Sequence, residues 1–151
     1  MPGDLSWPIL GMVAASALFW MVYIDSKDRF RPEPPFRLVA AFAIGMGSAI
    51  VALGVFSALA ALELTGTDPF QMTLAEKAIL CFGFIGPVEE GAKVLAAWFL
   101  VFRWQVFDEP IDGFVYAAAI ALGFASLENL VHLPELGRID QLARTLTLPI
   151  T

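Results

Sequence analysis

One cysteine and one histidine are all that this chain of 151 residues carries of either type. A lone cysteine, Cys81, cannot close an internal disulfide and excludes a cysteine-rich metal site. Set in an apolar run, it reads as a small buried hydrophobe. Charge is scarce as well. Charged residues make up 16% and hydrophobic ones 58%, where ordinary soluble domains hold ~25% charged and ~45–50% apolar residues. Lys and Arg number 9 against 15 Asp and Glu and form no basic patch, so the electrostatic footprint of a nucleic-acid-binding protein is missing. Residues 1–6, MPGDLS, hold no Lys or Arg. The basic region of a cleaved secretory signal is therefore absent, and the first apolar run reads as a retained membrane helix. No hydrophilic domain, low-complexity tract or internal repeat is visible.

What the chain does have is apolar length, with a mean hydropathy of +0.73. Four runs stand out: residues 7–24, 38–62, 78–102 and 111–133. Each has ~18–25 residues, enough to cross a ~30 Å hydrocarbon core at ~1.5 Å per residue. The expected fold is all-α, a polytopic helix bundle in the lipid bilayer with about four transmembrane segments. It would form a single membrane domain over 1–151, with a further helix starting after residue 140. The loop DSKDRFRPEPPFR holds Lys27, Arg29, Arg31 and Arg37, whereas the next connection, ELTGTDPFQMTLAEK, holds only Lys77. Loops rich in Lys and Arg stay on the cytoplasmic side. The reading is a multi-pass membrane protein, with loop 25–37 in the cytoplasm and the N-terminus outside. Small residues recur every four positions at Ala41, Gly45 and Ala49, and again at Gly113, Ala117, Ala121 and Ala125. That spacing lets helix backbones approach closely within a membrane.

The third run breaks its own pattern with IGPVEEGAK. Glu89, Glu90 and Lys93 are its only charges, and a charge at mid-bilayer costs roughly 2.5–3.5 kcal/mol. Polar contacts inside membrane bundles return only about 0.6 kcal/mol on average, so a functional cavity explains the three better than a packing role does. On a helix, Lys93 lies one turn from both glutamates. Neighbouring residues point about 100° apart, so one glutamate faces the cavity while the other pairs with Lys93 or a neighbouring helix. Pro87, behind Gly83 and Gly86, suggests a chain break near 86–87, with a new helix beginning there and residues 78–86 forming a separate turn, half-helix or re-entrant piece. Such a break would lift the glutamates toward the depth of Glu128.

The fourth run, IDGFVYAAAIALGFASLENLVHL, carries the remaining candidates. Asp112, Tyr116, Ile120, Phe124, Glu128 and His132 follow one i,i+4 ridge. Glu128 and His132, one turn apart, could bind a metal or share a proton. His132 also reads simply as a histidine at a helix end. Asp112 reads equally as a helix cap or as a site residue. Tyr116 suits packing or hydrogen bonding.

PVEEGAK followed by IDGFVYAAAIALGFASLENLVHL resembles the PrsW family of bacterial membrane proteases, which is similar to the CAAX-processing endopeptidases and the Abi proteins. The loop DSKDRFRPEPP resembles that family's run between its first two helices. The resemblance covers residues 25–144. It implies Glu89 and Glu90 as the central catalytic or metal-binding pair, Glu128 and Asn129 as completing the site, and Lys93 and Asp112 as supporting residues. The implied substrates are membrane-bound proteins, including anti-sigma factors. A further histidine motif belongs to a later helix of the family, and this chain reaches ARTLTLPIT where that helix would begin, as expected of a fragment of a larger bundle. Two water-activating mechanisms remain open. In one, a divalent metal such as zinc is held by Glu89, Glu128 and His132. In the other, a glutamate is itself the general base. Asn129 would serve either by donating to the oxyanion. The rival to an enzyme is a non-catalytic membrane scaffold or inactive fragment, and an ion or proton pathway ranks last.

Overall fold

The computed structural model describes residues 7–27, 33–62, 72–104 and 109–133. All of its regular structure there is helical: α1 (Trp7–Asp25), α2 (Pro35–Ala61), α3 (Leu74–Leu80), a π-helical turn (Cys81–Ile85), α4 (Gly86–Trp104) and α5 (Pro110–His132). By length and composition α1, α2 and α5 can each cross a membrane. The chain is thus a helical membrane protein. α4 is as long as α1 but carries Glu89, Glu90 and Lys93.

Local chemistry sets the starts. Pro35 occupies the first turn of α2, where its missing N–H leaves no bond unmade. Thr73 and Glu76 form a reciprocal capping box on α3, with the Thr73 N–H donating to Glu76 Oε2 at 2.8 Å. Glu109 caps α5 in the same way, its N–H donating to Asp112 Oδ2 at 2.9 Å, with Pro110 next.

The break expected at 86–87 takes another form. Leu80, Cys81 and Gly86 all keep right-handed helical angles, so α3, the π turn and α4 run on without interruption. The Gly86 N–H reaches back to the Cys81 carbonyl, five residues earlier. The widened turn absorbs the one place where Pro87 has no N–H to give and where its ring would press on the Gly83 carbonyl. No re-entrant piece is needed. Neither α3 nor the π turn buries a residue. Cys81 is accordingly exposed rather than a buried hydrophobe, because among the described residues no helix packs over it.

α2 and α5 form the central pair; α1 lies on α5, and α4 leans on α2 and, more lightly, on α5. Ala41, Gly45 and Ala49 are buried on α2, as their spacing suggested. A Cβ on Gly45 would come within 2.8 Å of the Ile120 carbonyl carbon. The α5 half of this crossing is not the expected stripe. Ala117 and Ala121 are exposed, and the close approach is made by Gly123, where a Cβ would meet the Phe42 carbonyl carbon at 2.9 Å. The reason is phase: Val115, Ala119, Leu122 and Ser126 mark the buried side of α5, and residues 117 and 121 point away from it.

At the other end of α5, Tyr116 donates a hydrogen bond to Glu33, which is 8% exposed and also pairs with Arg37 at 3.6 Å. This ties the turn before α2 to the first turns of α5. Large apolar side chains such as Phe36, Val39, Phe82 and Val94 cover the outside of the bundle, as a lipid-facing surface requires.

Candidate active site

The inward face of α4 is set by Val88, Ala92, Ala96 and Leu100, which pack toward α2 and α5. Stepping about 100° per residue from that stripe, Glu89 falls near its edge, Lys93 farther round and Glu90 farthest. The exposures follow: Glu89 is half-buried, Lys93 is 20% exposed and Glu90 is 69% exposed. Glu90 takes the ion pair, with Lys93 Nζ 2.8 Å from its Oε1. The Lys93 ammonium also lies 4.5 Å from the centre of the Phe124 ring, a cation–π contact that steadies a lysine partly withdrawn from solvent.

Glu89 faces the other way, into a cavity of about 230 Å³ between α2, α4 and α5. Glu128 and His132 line the same cavity. Ala49, Ala52 and Phe56 of α2 and Ile85 of the π turn form its apolar wall. Glu89 and Glu128 therefore do share a depth, although the chain is unbroken.

A second, larger cavity of about 660 Å³ lies on the opposite side of Phe124. It runs between α1, α4 and α5 and is lined among others by Tyr23, Lys27, Glu90, Lys93 and Glu128. Phe124 and Glu128 border both cavities, so they form the wall between them. The part played by α1 had no signal in the sequence, since Trp20 and Tyr23 belong to a helix without any motif, while Lys27 stood out only as a charge of the loop after it. Phe124 could have been found, because it stands one turn before Glu128 on the same ridge.

Two of the expected site residues lie elsewhere. Asp112 is a buried capping residue at the start of α5, about 24 Å along the helix from Glu128 at 1.5 Å per residue. Asn129 is 1% exposed and lines neither cavity. Among the described residues, no three His, Cys, Asp or Glu side chains stand close enough together to hold a metal ion. Glu89, Glu128 and His132 offer suitable donor atoms to one cavity without converging as a ligand set.

Comparison with known proteins identifies the family. The profile of the PrsW family of intramembrane metalloproteases matches residues 33–148. Protease PrsW of Geobacillus kaustophilus is 31% identical over 141 residues, 93% of this chain and 57% of the relative. Protease PrsW of Clostridioides difficile is 32% identical over 116 residues, 77% and 46%. That of Bacillus subtilis is 28% identical over 125 residues, 83% and 53%. The chain spans about half the length of the curated relatives it matches. No solved structure matches it at comparable significance. A match that takes in the paired glutamates of α4, the Glu-Asn pair of α5 and most of the chain between and around them places this protein in the PrsW family.

Proposed function

We propose that this protein is a membrane-embedded endopeptidase that hydrolyses a peptide bond of membrane-bound protein substrates, with Glu89 and Glu128 as its acid–base pair. The observation that carries this reading is the convergence of Glu89 from α4 with Glu128 and His132 from α5 on one largely apolar cavity. Hydrolysis needs a water placed beside a group that takes its proton, and a group that returns a proton to the departing amine. One carboxylate accepts the proton of the attacking water as its oxygen bonds to the scissile carbonyl carbon. That proton then passes to the amide nitrogen as the carbon–nitrogen bond breaks, directly or through the second carboxylate or His132. The apolar wall of Ala49, Ala52 and Phe56 keeps bulk water from this exchange.

The family name carries a metal. A catalytic zinc ordinarily takes three protein ligands and keeps one open position. The described residues do not by themselves form such a centre. When bound, a divalent ion would supply an acidified water. Glu89, Glu128 and His132 are the side chains through which this chain would meet it, and the steps above involve only those side chains.

By the resemblance of its motifs, the substrates would be regulatory membrane proteins of the anti-sigma-factor type. The bacterial membrane is the setting, with loop 25–37 facing the cytoplasm. A Ser26→Cys protein in a Cys81→Ser background tests the orientation: a membrane-impermeant maleimide should label it in inverted vesicles and not in intact spheroplasts, and the reverse pattern refutes it.

The activity is tested without knowing the substrate. New protein termini in the membrane fraction are compared between cells making the full-length wild type and cells making Glu89→Gln or Glu128→Gln. A set of termini lost in both variants is expected. Identical termini in all three strains would refute the protease reading and leave a non-catalytic scaffold.

A further inference from the structure

Phe124 stands where the two cavities meet, and the groups on its two sides differ in kind. It packs in one cluster with Ala49 and Ala52 of α2, which line the cavity of Glu89, Glu128 and His132. On the other side is an ion. Lys93 Nζ lies 4.5 Å from the centre of the ring and 2.8 Å from Glu90 Oε1. Lys93 and Glu90 line the larger cavity and not the smaller. The ring itself is 3% exposed. It is therefore enclosed between an apolar wall and an ammonium.

Burial alone does not fix such a ring. A phenylalanine on a helix has two χ1 wells open to it, and its packing neighbours Ala49, Ala52 and Ala92 reach no farther than Cβ. A cation over the ring adds a directed attraction, because the face is the negative part of the ring quadrupole. For a lysine 20% exposed, that attraction favours the observed position by roughly five- to thirtyfold. Glu90 anchors the ammonium that does so. Glu128 comes one turn after Phe124 on the same ridge and lines both cavities. With the ring in place, the ammonium stays with Glu90. With the ring swung away, the same ammonium has Glu128 as a second carboxylate to meet, and the two cavities become one.

We propose that Phe124 is a positioning residue of the site: its ring, held by the Lys93 ammonium, walls off the cavity of Glu89, Glu128 and His132 from the larger cavity and keeps the Glu90–Lys93 ion pair apart from Glu128. This rests on the protease reading and names what keeps its acid–base pair from being tied up by a neighbouring cation. Lys93 acts on the site through the ring.

The test reads the wall directly and does not depend on turnover. Full-length protein in dodecyl maltoside carries Ala52→Cys, on the wall of the smaller cavity, with Cys81 and any later cysteine changed to serine. The probe is a small water-soluble methanethiosulfonate. Phe124 is replaced in turn by mono-, di- and trifluorinated phenylalanine, which keep the shape of the ring while draining its face of negative charge. The rate of modification at position 52 should climb in that order and reach roughly five- to thirtyfold with the trifluorinated ring. Lys93→Met should raise the rate as much when Phe124 is present, and by less than about twofold in Phe124→Leu, which has no ring to hold. Ala121→Cys, which lines the larger cavity, should react at the same rate whichever ring is present. A rate at position 52 that ignores fluorination, an equal effect of Lys93→Met with and without the ring, or a parallel rise at position 121, the mark of general loosening, would each overturn the proposal. Cleavage is scored separately, through the new termini. Termini that survive both Glu89→Gln and Glu128→Gln sink the protease reading, whereas a flat fluorination series beside termini lost in those variants sinks the wall alone.

Discussion

The α2–α5 crossing makes a demanding prediction because both helices give up a side chain at the same place. A methyl on Gly123 would stand 2.9 Å from the Phe42 carbonyl carbon and 3.1 Å from the Met46 nitrogen, closer still to the Phe42 oxygen. A methyl on Gly45 would stand 2.8 Å from the Ile120 carbonyl carbon. The obstacles are backbone atoms of the partner helix, so no rotamer change relieves them. The helices must separate by roughly an ångström, and gaps of 0.5–1 Å forfeit about a quarter to a half of each dispersion contact they open. Overpacking of this kind costs about 1–3 kcal/mol. Gly45→Ala and Gly123→Ala should each lower stability by that amount. The double variant should cost much less than the sum, since one separation makes room for both methyls, and contacting sites couple by about 0.5–3 kcal/mol. The assay is reversible unfolding in mixed micelles of sodium dodecyl sulfate and dodecyl maltoside, followed by tryptophan fluorescence. Either single variant falling within 0.5 kcal/mol of wild type, on the scale of a neutral surface change, would refute the close crossing. So would strict additivity in the double variant.

Three more outcomes follow from the same structure. Tyr116→Phe removes the hydroxyl that Glu33 accepts from and should cost about 1–3 kcal/mol in that unfolding assay, because a buried acceptor loses its donor; an Arg37→Leu protein, already lacking the other partner of Glu33, should respond to Tyr116→Phe differently from wild type. Bonds from the Thr73 backbone and side chain hold the exposed Glu76 carboxyl below its ordinary value of 4.5, so its contribution to the start of α3 is present above that value and is lost as pH falls through the lowered one; hydrogen exchange at the Thr73 amide should rise over that acid range, and Glu76→Gln should flatten the response. The 151-residue chain alone should show no zinc-dependent rise in its unfolding midpoint, whereas a site filled at a hundredfold excess over its dissociation constant would stabilise it by about 2.7 kcal/mol.

How far the sequence could be read depended on which forces act locally. Long apolar runs mark helices because a bilayer leaves the backbone no other partner, and that logic reached α1, α2 and α5 directly. The cap at Thr73 was missed because the Thr73–Glu76 box lies before the apolar run, and the helix begins where the box is. Pro87 was recognised as a disturbance, but its outcome, a widened turn rather than an interruption, is settled by whether the next carbonyl back can accept the bond instead, which spacing does not reveal. The α2 stripe was legible and the α5 stripe misleading for one reason: small residues permit close approach on any face, and only packing decides which face is used. Of the site, the split roles of Glu89 and Glu90 followed from the 100° step. The shared wall at Phe124 and the flank formed by α1 did not, because they arise from how three helices are set side by side.

The wide turn at Cys81–Ile85 also bears on how this protein can change. α4 is clamped by α2 and α5, while α3 and the turn itself bury nothing. Gaining or losing one residue at the outer end of that turn, before Ile85 on the cavity wall, would swing the outer arm by about 100° and leave the glutamates and that wall where they are. The arm that reaches outward can thus be re-aimed toward new surroundings while the interior chemistry stays fixed, which makes this five-residue swivel the spot where insertions and deletions should be best tolerated.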